Sequence, residues 1–578
     1  MMQEPSANIV KMTSTSDAML SALQEAGVSW IFANFGSDHA GVIESLAKAK
    51  SEGRAMPAIM LCPHENLAIT AAHGYAQVTG KAQAVFVHVD VGTQNLGGSL
   101  HNAWRARVPV FIFAGLTPYT IEGELPGTRN RSATFFQDVF DQAGIVRQYV
   151  KWDYSIRTGK NVKQLVHRAL QIAESDPQGP VYLTGAREVL EEEVAPSVTA
   201  MQNWTPIAPA ALPEASVAEI ADALFKADKP LLITSYAGRN TACVAELIKF
   251  CERLAIPVIE ERPIHMNFPG DHALHIGYQA DQIVTDADVI VVLDCDVPWL
   301  PSGGQTPNDD CKVFYIDVDP LKESIPLWYM PAQRFYKADA TLALGQLNRY
   351  LDQAEPLNQA KHAERMARAR KKHDGQRSAW AEKQQQPADG RITPDWLSTC
   401  LREVIDADTI IINESVTSAA TLYQHLPRTH PGTLFGSGGS SLGFGGGAAI
   451  GAKLAAPDRD VVCLTGDGSF FFGTPAAVYW ASRRYDVPFL TVIYNNQGWN
   501  ATKENFQRIH PNGAAAGSDR DWVSLGPSAD FATVAAGAGG ALGLTVERAD
   551  ALKDALVEAM QAVRGGRSAV VDVRIVAI

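Results

Sequence analysis

The sequence predicts an α/β protein built of three doubly wound, parallel-sheet domains: a first domain, a central domain and a last domain. Three observations carry this expectation. The chain has 578 residues, several times the usual domain size. Short β-branched and apolar runs alternate with longer helical stretches along nearly all of it, the rhythm of βαβ units. No period of about 20 to 50 residues recurs, which excludes a solenoid.

In the first domain, expected over residues 1–195, the apolar runs fall at 29–34, 58–61, 84–89, 108–113 and 181–183. A polar, proline-containing stretch near 196–213 reads as a linker. The central domain, expected over 196–352, has strands at 230–234, 257–260, 289–293 and 312–317. Residues 353–391 read as a second linker. Within it, 359–386 carries Lys361, Arg365, Arg368, Arg370, Lys371 and Lys372, and its basic run is broken by Glu364, Asp374 and Glu382. That pattern reads as a solvated helix or linker rather than a binding arm. The third domain, expected over 392–578, has strands at 409–412, 461–464, 489–494 and 569–573.

Charge and composition narrow the function. Fifty Lys and Arg stand against 63 Asp and Glu, a formal charge of −13, so nucleic acid and anionic membrane lack their electrostatic footprint. A small-molecule enzyme is the expectation. No window approaches the ~18 apolar residues of a membrane helix. The start, Met1-Met2-Gln3-Glu4-Pro5, has no basic region followed by an apolar one, and an unexported, cytoplasmic protein is expected. Cys62, Cys243, Cys251, Cys295, Cys311, Cys400 and Cys463 form no C-x-x-C pair and read as reduced structural thiols.

Chemistry concentrates where two strands of the third domain end. One runs into Thr465-Gly466-Asp467-Gly468-Ser469, the other into Asn495-Asn496-Gln497-Gly498. Ligands of open parallel sheets sit at the carboxyl ends of strands, and the glycines flanking Asp467 let backbone amides approach a phosphate. Mg²⁺ takes oxygen ligands, often one or two from protein with phosphate oxygens and water completing the shell, and Asp467 with an Asn amide oxygen supplies that set.

Gly466-Asp467-Gly468, followed at the right spacing by Asn495-Asn496, resembles the thiamine diphosphate signature. The resemblance implies a Mg²⁺ ion held by Asp467, Asn496 and the Gly498 carbonyl. It places Gly466, Gly468 and Ser469 against the cofactor and makes Asn495 a supporting neighbour. Gly443-Phe-Gly445-Gly-Gly-Ala448 formally satisfies a dinucleotide fingerprint, but a turn-like stretch precedes it where a strand is needed. Leu442-Gly443-Phe444 instead resembles the family segment whose bulky residue wedges under the thiazolium, which implies Leu442.

Activation of thiamine requires one buried carboxylate that shares a proton with a ring nitrogen of the aminopyrimidine. Glu65, in His64-Glu65-Asn66 ahead of Gly74-Tyr75-Ala76, is similar to the family's glutamate. In this family the domains that carry Glu65 and Asp467 meet across a subunit interface, which implies a homodimer or homotetramer with active sites between subunits.

The subtype is divided. His88 lies 23 residues after Glu65, Ser37 follows Asn34-Phe35-Gly36, and Phe268-Pro269 precedes His272, features that look like benzoylformate decarboxylase. They imply Ser37, His88 and His272 as substrate and proton-transfer groups, suited to decarboxylating a 2-oxo acid. Phe136-Gln137-Asp138 and Asn495-Asn496-Gln497 look like acetolactate synthase and favour carboligation. A lyase or hydrolase cleaving a C–C bond beside a carbonyl is a further alternative. Gly92 and Asn95 read as residues of a substrate-facing turn. Asp90 departs from relatives and could repel a 2-oxo acid, select another substrate or act as a base. Residues 499–522, with Asn500, Lys503, His510, Gly513 and Asp519, read as a lid. FAD is not expected, because no glycine-rich fingerprint follows a central-domain strand.

Overall fold

Strands buried on both faces must be apolar throughout, whereas strands at a sheet edge need not be. That difference organises the whole chain. The structure, a computed structural model, describes residues 12–280, 283–517 and 521–576. The chain divides into two compact units, Met1–Ile207 with Gly438–Gly451, and Ala208–Ser437 with Ala452–Ile578.

The first unit contains one six-stranded parallel sheet. Its spatial order is Ala58–Leu61, Trp30–Ala33, Gln83–Val87, Val110–Leu116, Val181–Ala186 and Trp152–Ile156. The chain leaves Trp30–Ala33 toward one edge and returns to its other side with Gln83–Val87, so the two strands flank a topological switch point, where open sheets bind ligands. Two short antiparallel segments, Thr13–Ser14 and Glu193–Val194, tie the start of the unit to its end.

Behind the sheet, helix Glu65–Thr79 is almost wholly buried, and its small residues let another backbone approach. A Cβ on Gly74 would lie 2.3 Å from the Ala448 carbonyl oxygen, and one on Gly451 would lie 2.0 Å from that of Ala71. Gly80, at φ +70°, ends the helix in the left-handed conformation.

The second unit holds two parallel sheets. The central sheet runs Val258–Glu260, Pro230–Thr234, Val289–Leu293, Lys312–Asp317 and Arg334–Lys337. The last sheet runs Leu434–Gly436, Ile410–Glu414, Val461–Gly466, Leu490–Asn495, Ala569–Arg574 and Leu542–Val546. Three doubly wound sheets are therefore present, as the sequence predicts.

The stretch read as a linker contains a 23-residue helix, Gln359–Ala381. It is anchored by polar side chains instead of an apolar stripe. Buried Arg365 donates to the carbonyls of Leu224, Ala227 and Leu254, at or just beyond the C-terminal ends of helices Glu214–Lys226 and Thr241–Leu254, where carbonyls lack helical partners. His373 meets the His275 carbonyl at 2.8 Å, and Arg377 donates to that of Gly270. Among the described residues no helix is long and apolar enough to cross a membrane.

Candidate active site

Glu65 stands where helix Glu65–Thr79 begins, four residues after strand Ala58–Leu61 ends, and is 5 % exposed. Two asparagines hold its carboxylate. Asn34 Nδ2, just past strand Trp30–Ala33, donates to Oε1 at 2.9 Å, and Asn95 Nδ2 donates to Oε2 at 3.0 Å. A carboxylate offers about four acceptor positions, so lone pairs remain to share a proton with a ring nitrogen. A Cβ on Gly92 would lie 3.2 Å from Oε1, so glycine keeps this side of the carboxylate clear.

His88 directly follows strand Gln83–Val87 and precedes helix Val89–Arg105. Asp90, Gly92 and Asn95 therefore lie in a helix rather than in the turn expected from sequence. Buried Asp38 binds His88 Nδ1, and Gln137 Nε2 lies 3.0 Å from His88 Nε2. The Asp38 hydrogen bond raises the His88 pKa from its ordinary value, burial opposes the rise, and Asp90 adds to it. Ser37 is exposed at the start of the short 3-10 turn Ser37–His39, and the reach to His88 belongs to its neighbour Asp38. Sequence reading missed Asp38, although an acid beside a strand end at a switch point was its available signal. Asp90 is 5 % exposed, and its Oδ1 has no hydrogen-bond partner among the described residues.

Leu442, half-buried, is clamped by the same unit. Asn102 pairs with the backbone of Ser441 at 2.8 and 3.0 Å, and Asn66 Nδ2 donates to the Gly443 carbonyl at 3.1 Å. Gly443 adopts φ +93°, a conformation that favours glycine.

In the second unit, register places Gly466 opposite Tyr494, so Asp467 and Asn495-Asn496 emerge from adjacent strand ends. Asp467 is 3 % exposed, and its Oδ2 has no hydrogen-bond partner among the described residues. Burial raises its pKa, opposed by the backbone amides of Gly468 and Gly498. An under-compensated buried carboxylate at this position fits a cation. Asn495 is the supporting neighbour: its Nδ2 donates to Asp572 Oδ1 at 2.8 Å and Ser528 Oγ at 2.9 Å. Asn496 Oδ1 accepts the Gly498 amide at 3.1 Å across Gln497, whose φ is +60°. Ser469 is buried one turn into the helix that begins at Asp467. A Cβ on Gly468 would lie 2.2 Å from the Trp499 ring, so glycine lets the two loops pack.

His272 lies in a loop of the central domain. Its Nε2 lies 3.2 Å from Glu252, and its Nδ1 accepts the Leu274 amide at 3.1 Å. Its two ring nitrogens thus meet a side chain of helix Thr241–Leu254 and the backbone of its own loop. The expected lid contains an exposed helix, Asn500–Ile509, and its base is pinned where Trp499 N donates to Val523 O and Leu525 N to Gln497 O, both at 2.8 Å. Asp519 lies outside the described residues.

Three family models match in chain order: the thiamine pyrophosphate enzyme N-terminal TPP binding domain over residues 13–145, the central domain over 217–347 and the C-terminal TPP binding domain over 414–573. The chain belongs to the thiamine pyrophosphate enzyme family. This family includes decarboxylases and carboligases, and both occur among the relatives. Acetolactate synthase large subunit of Parasynechococcus marenigrum is 26 % identical over 536 residues, 87 % of this chain and 79 % of that one. Benzoylformate decarboxylase of Pseudomonas aeruginosa is 25 % identical over 511 residues, 85 % of this chain and 88 % of that one. The solved benzoylformate decarboxylase of Polynucleobacter necessarius has TM-score 0.79 at 21 % identity, covering 98 % of this chain and 99 % of the other. The thiamine diphosphate-dependent 4-hydroxybenzoylformate decarboxylase of Rhodococcus jostii RHA1 has TM-score 0.78 at 22 %, covering 98 % and 100 %.

Proposed function

We propose that this thiamine diphosphate enzyme is Mg²⁺-dependent and decarboxylates a 2-oxo acid in the manner of benzoylformate decarboxylase. The observation that carries the subtype is His88, held between Asp38 and Gln137 at the first switch point. An imidazole there can deliver and remove a proton near neutral pH. Bound thiamine diphosphate supplies a nucleophilic carbon that adds to a carbonyl and accepts the electron pair left when the adjacent C–C bond breaks.

In this reading Glu65, oriented by Asn34 and Asn95, shares a proton with the pyrimidine. Asp467, Asn496 and the Gly498 carbonyl hold Mg²⁺, and Gly466, Gly468 and Ser469 line the diphosphate side. Leu442, fixed by its clamped neighbours, supports the cofactor's bend. Ser37 sits at the exposed rim, where its hydroxyl can meet substrate, and His272 is the second candidate imidazole for substrate binding and proton transfer. Decarboxylation exchanges no electrons with a redox partner, so FAD is not expected to take part in the chemistry. The enzyme acts as a homodimer or homotetramer with active sites between subunits; large exposed apolar side chains on the first unit, Phe136 at 83 % and the fully exposed Phe140, support an oligomeric surface.

A second reading, carboligation as in acetolactate synthase, is favoured by Gln137, which occupies the His88 nitrogen that a protonating enzyme would use. The deciding experiment titrates metal-stripped protein with thiamine diphosphate, with and without Mg²⁺, then screens 2-oxo acids. Mg²⁺-dependent binding with CO₂ and aldehyde release is expected. CO₂ release with a condensed hydroxy-oxo acid product would establish carboligation. Binding without CO₂ release would point to a lyase or hydrolase, and absence of binding would overturn the cofactor assignment.

A further inference from the structure

The carboxylate behind His88 is more completely built in than its neighbours require. Asp38 is 4 % exposed. Its Oδ1 meets Nδ1 of His88 and, at 3.1 Å, Nδ1 of His39; its Oδ2 accepts the Val89 amide at 3.2 Å. The surrounding backbone leaves no slack. A Cβ on Gly115 would lie 1.9 Å from Asp38 Oδ2, and one on Gly36 would lie 1.9 Å from His88 Nδ1. Val89, between His88 and Asp90, sits at φ +28°, an outlier for a β-branched residue that persists only where its surroundings over-determine it. The amide held by Asp38 is the amide of that strained residue.

We propose that Asp38 is a positioning residue for proton transfer: by binding Nδ1–H of His88 it assigns Nε2, the nitrogen facing Gln137, as the one that takes up and releases a proton. The inference rests on the reading above that places the reaction at this sheet edge. In the step itself the Nε2–H bond breaks, the proton passes to the carbanionic carbon of the bound substrate, and its electron pair stays on Nε2, while Nδ1–H remains with Asp38. Gln137 serves both states. Its amide N–H donates to bare Nε2, and its oxygen, after rotation of the amide, accepts from protonated Nε2.

The charges around the pair agree. Burial by itself would raise the Asp38 carboxyl, but the His39 and His88 rings and their hydrogen bonds hold it well below the usual carboxylate range. It therefore stays ionised through the cycle. The titratable groups that face His88 are Asp38 and Asp90, with His39 behind Asp38.

The test follows the His88 ring nitrogens by NMR in holoenzyme carrying isotope-labelled histidine, the signal being identified by its loss in His88→Gln. At pH values above its titration, wild-type His88 is expected to carry its proton on Nδ1 with Nε2 bare; the reverse tautomer overturns the proposal without any variant of Asp38. Asp38→Asn is expected to lower the His88 pKa by about 1 to 2 units, within the range for loss of a close opposite charge. The pH profile of kcat should move by the same amount, with KM and thiamine diphosphate affinity unchanged. An unmoved pKa, or a moved pKa with an unmoved profile, refutes the positioning role. Failure of wild-type cofactor binding, read beforehand by calorimetry, would instead sink the functional reading, and so is distinguished from the wrong tautomer in a protein that does bind the cofactor.

Discussion

The first and last sheets have the same strand order, 2-1-3-4-6-5 when the strands of each are counted along the chain, and each places acidic side chains at strand ends beside its switch point. The two are finished differently. In the first sheet both Glu65 oxygens accept amide N–H groups and both Asp38 oxygens are engaged by rings and backbone. In the last sheet Asp467 keeps a buried oxygen with no partner among the described residues. A carboxylate whose two oxygens already accept hydrogen bonds is suited to trading protons, whereas Asp467, with a buried oxygen left unpartnered next to the strand end that carries Asn496, suits a cation. In the proposed reading, one architecture thus yields a site for proton chemistry and a site for metal and phosphate, set by which side chains follow the strands.

Breaking the first site should cost most. Glu65→Gln keeps the shape and the hydrogen-bonding capacity toward Asn34 but cannot share a proton as a carboxyl does. We expect kcat to fall by about 10²- to 10⁴-fold, the range for loss of an acid–base group, with cofactor affinity nearly unchanged by calorimetry. A fall in affinity with kcat preserved would reverse the assigned roles.

Breaking the last site should move the other quantity. Asp467→Ala is expected to abolish the Mg²⁺ dependence of thiamine diphosphate binding and to weaken binding by more than ~100-fold, beyond what loss of an outer-sphere partner costs. Retained Mg²⁺-dependent binding would show that the unpaired oxygen of Asp467 is not the cation's partner.

Between these lies a sharper test of saturation. Asn34→Ala and Asn95→Ala each bare one oxygen of Glu65, and each should lower kcat about tenfold, equivalent to roughly 1.4 kcal/mol. The double variant should lose more than the product of the two if, in each single variant, the carboxylate rotates onto the partner that remains. Strict multiplicativity in kcat would mean that each amide acts alone.

Much of this was legible in the sequence, for a physical reason. Runs such as Val289–Leu293 and residues 461–464 lie within sheets and read as strands because burial on both faces leaves no polar position. The strands that escaped notice, Trp152–Ile156, Arg334–Lys337, Leu434–Gly436 and Leu542–Val546, are all at sheet edges, short or half-exposed, where sequence need not be apolar. Helix Gln359–Ala381 was legible only as a solvated helix or linker, because Arg365, His373 and Arg377 attach it through carbonyls, a contact that leaves no apolar period. At the site, the glycine-flanked Asp467 and Asn495-Asn496 stood out, since close backbone approach restricts residue choice. Asp38 did not: it follows Ser37 inside the 3-10 turn Ser37–His39, and no spacing rule records which side chain of that turn reaches His88.

The smallest expected effect is on stability, and it has a definite sign. The native pKa of His88 is raised, so its partnership with Asp38 contributes stability that is complete below the unfolded value of about 6.5 and disappears as pH rises through the native value. The native pKa of Asp38 is depressed, so its share is present above the unfolded value of about 3.9 and is lost as pH falls toward the native one. Wild type should therefore exceed His88→Gln in stability most clearly between about pH 4 and 6.5, and the gap should narrow on both sides. Urea unfolding of both proteins from pH 3 to 9 measures that gap. A difference that widens toward alkaline pH would mean that the imidazole is held neutral in the folded protein, and the contrast between a proton site in the first sheet and a cation site in the last would lose its first half.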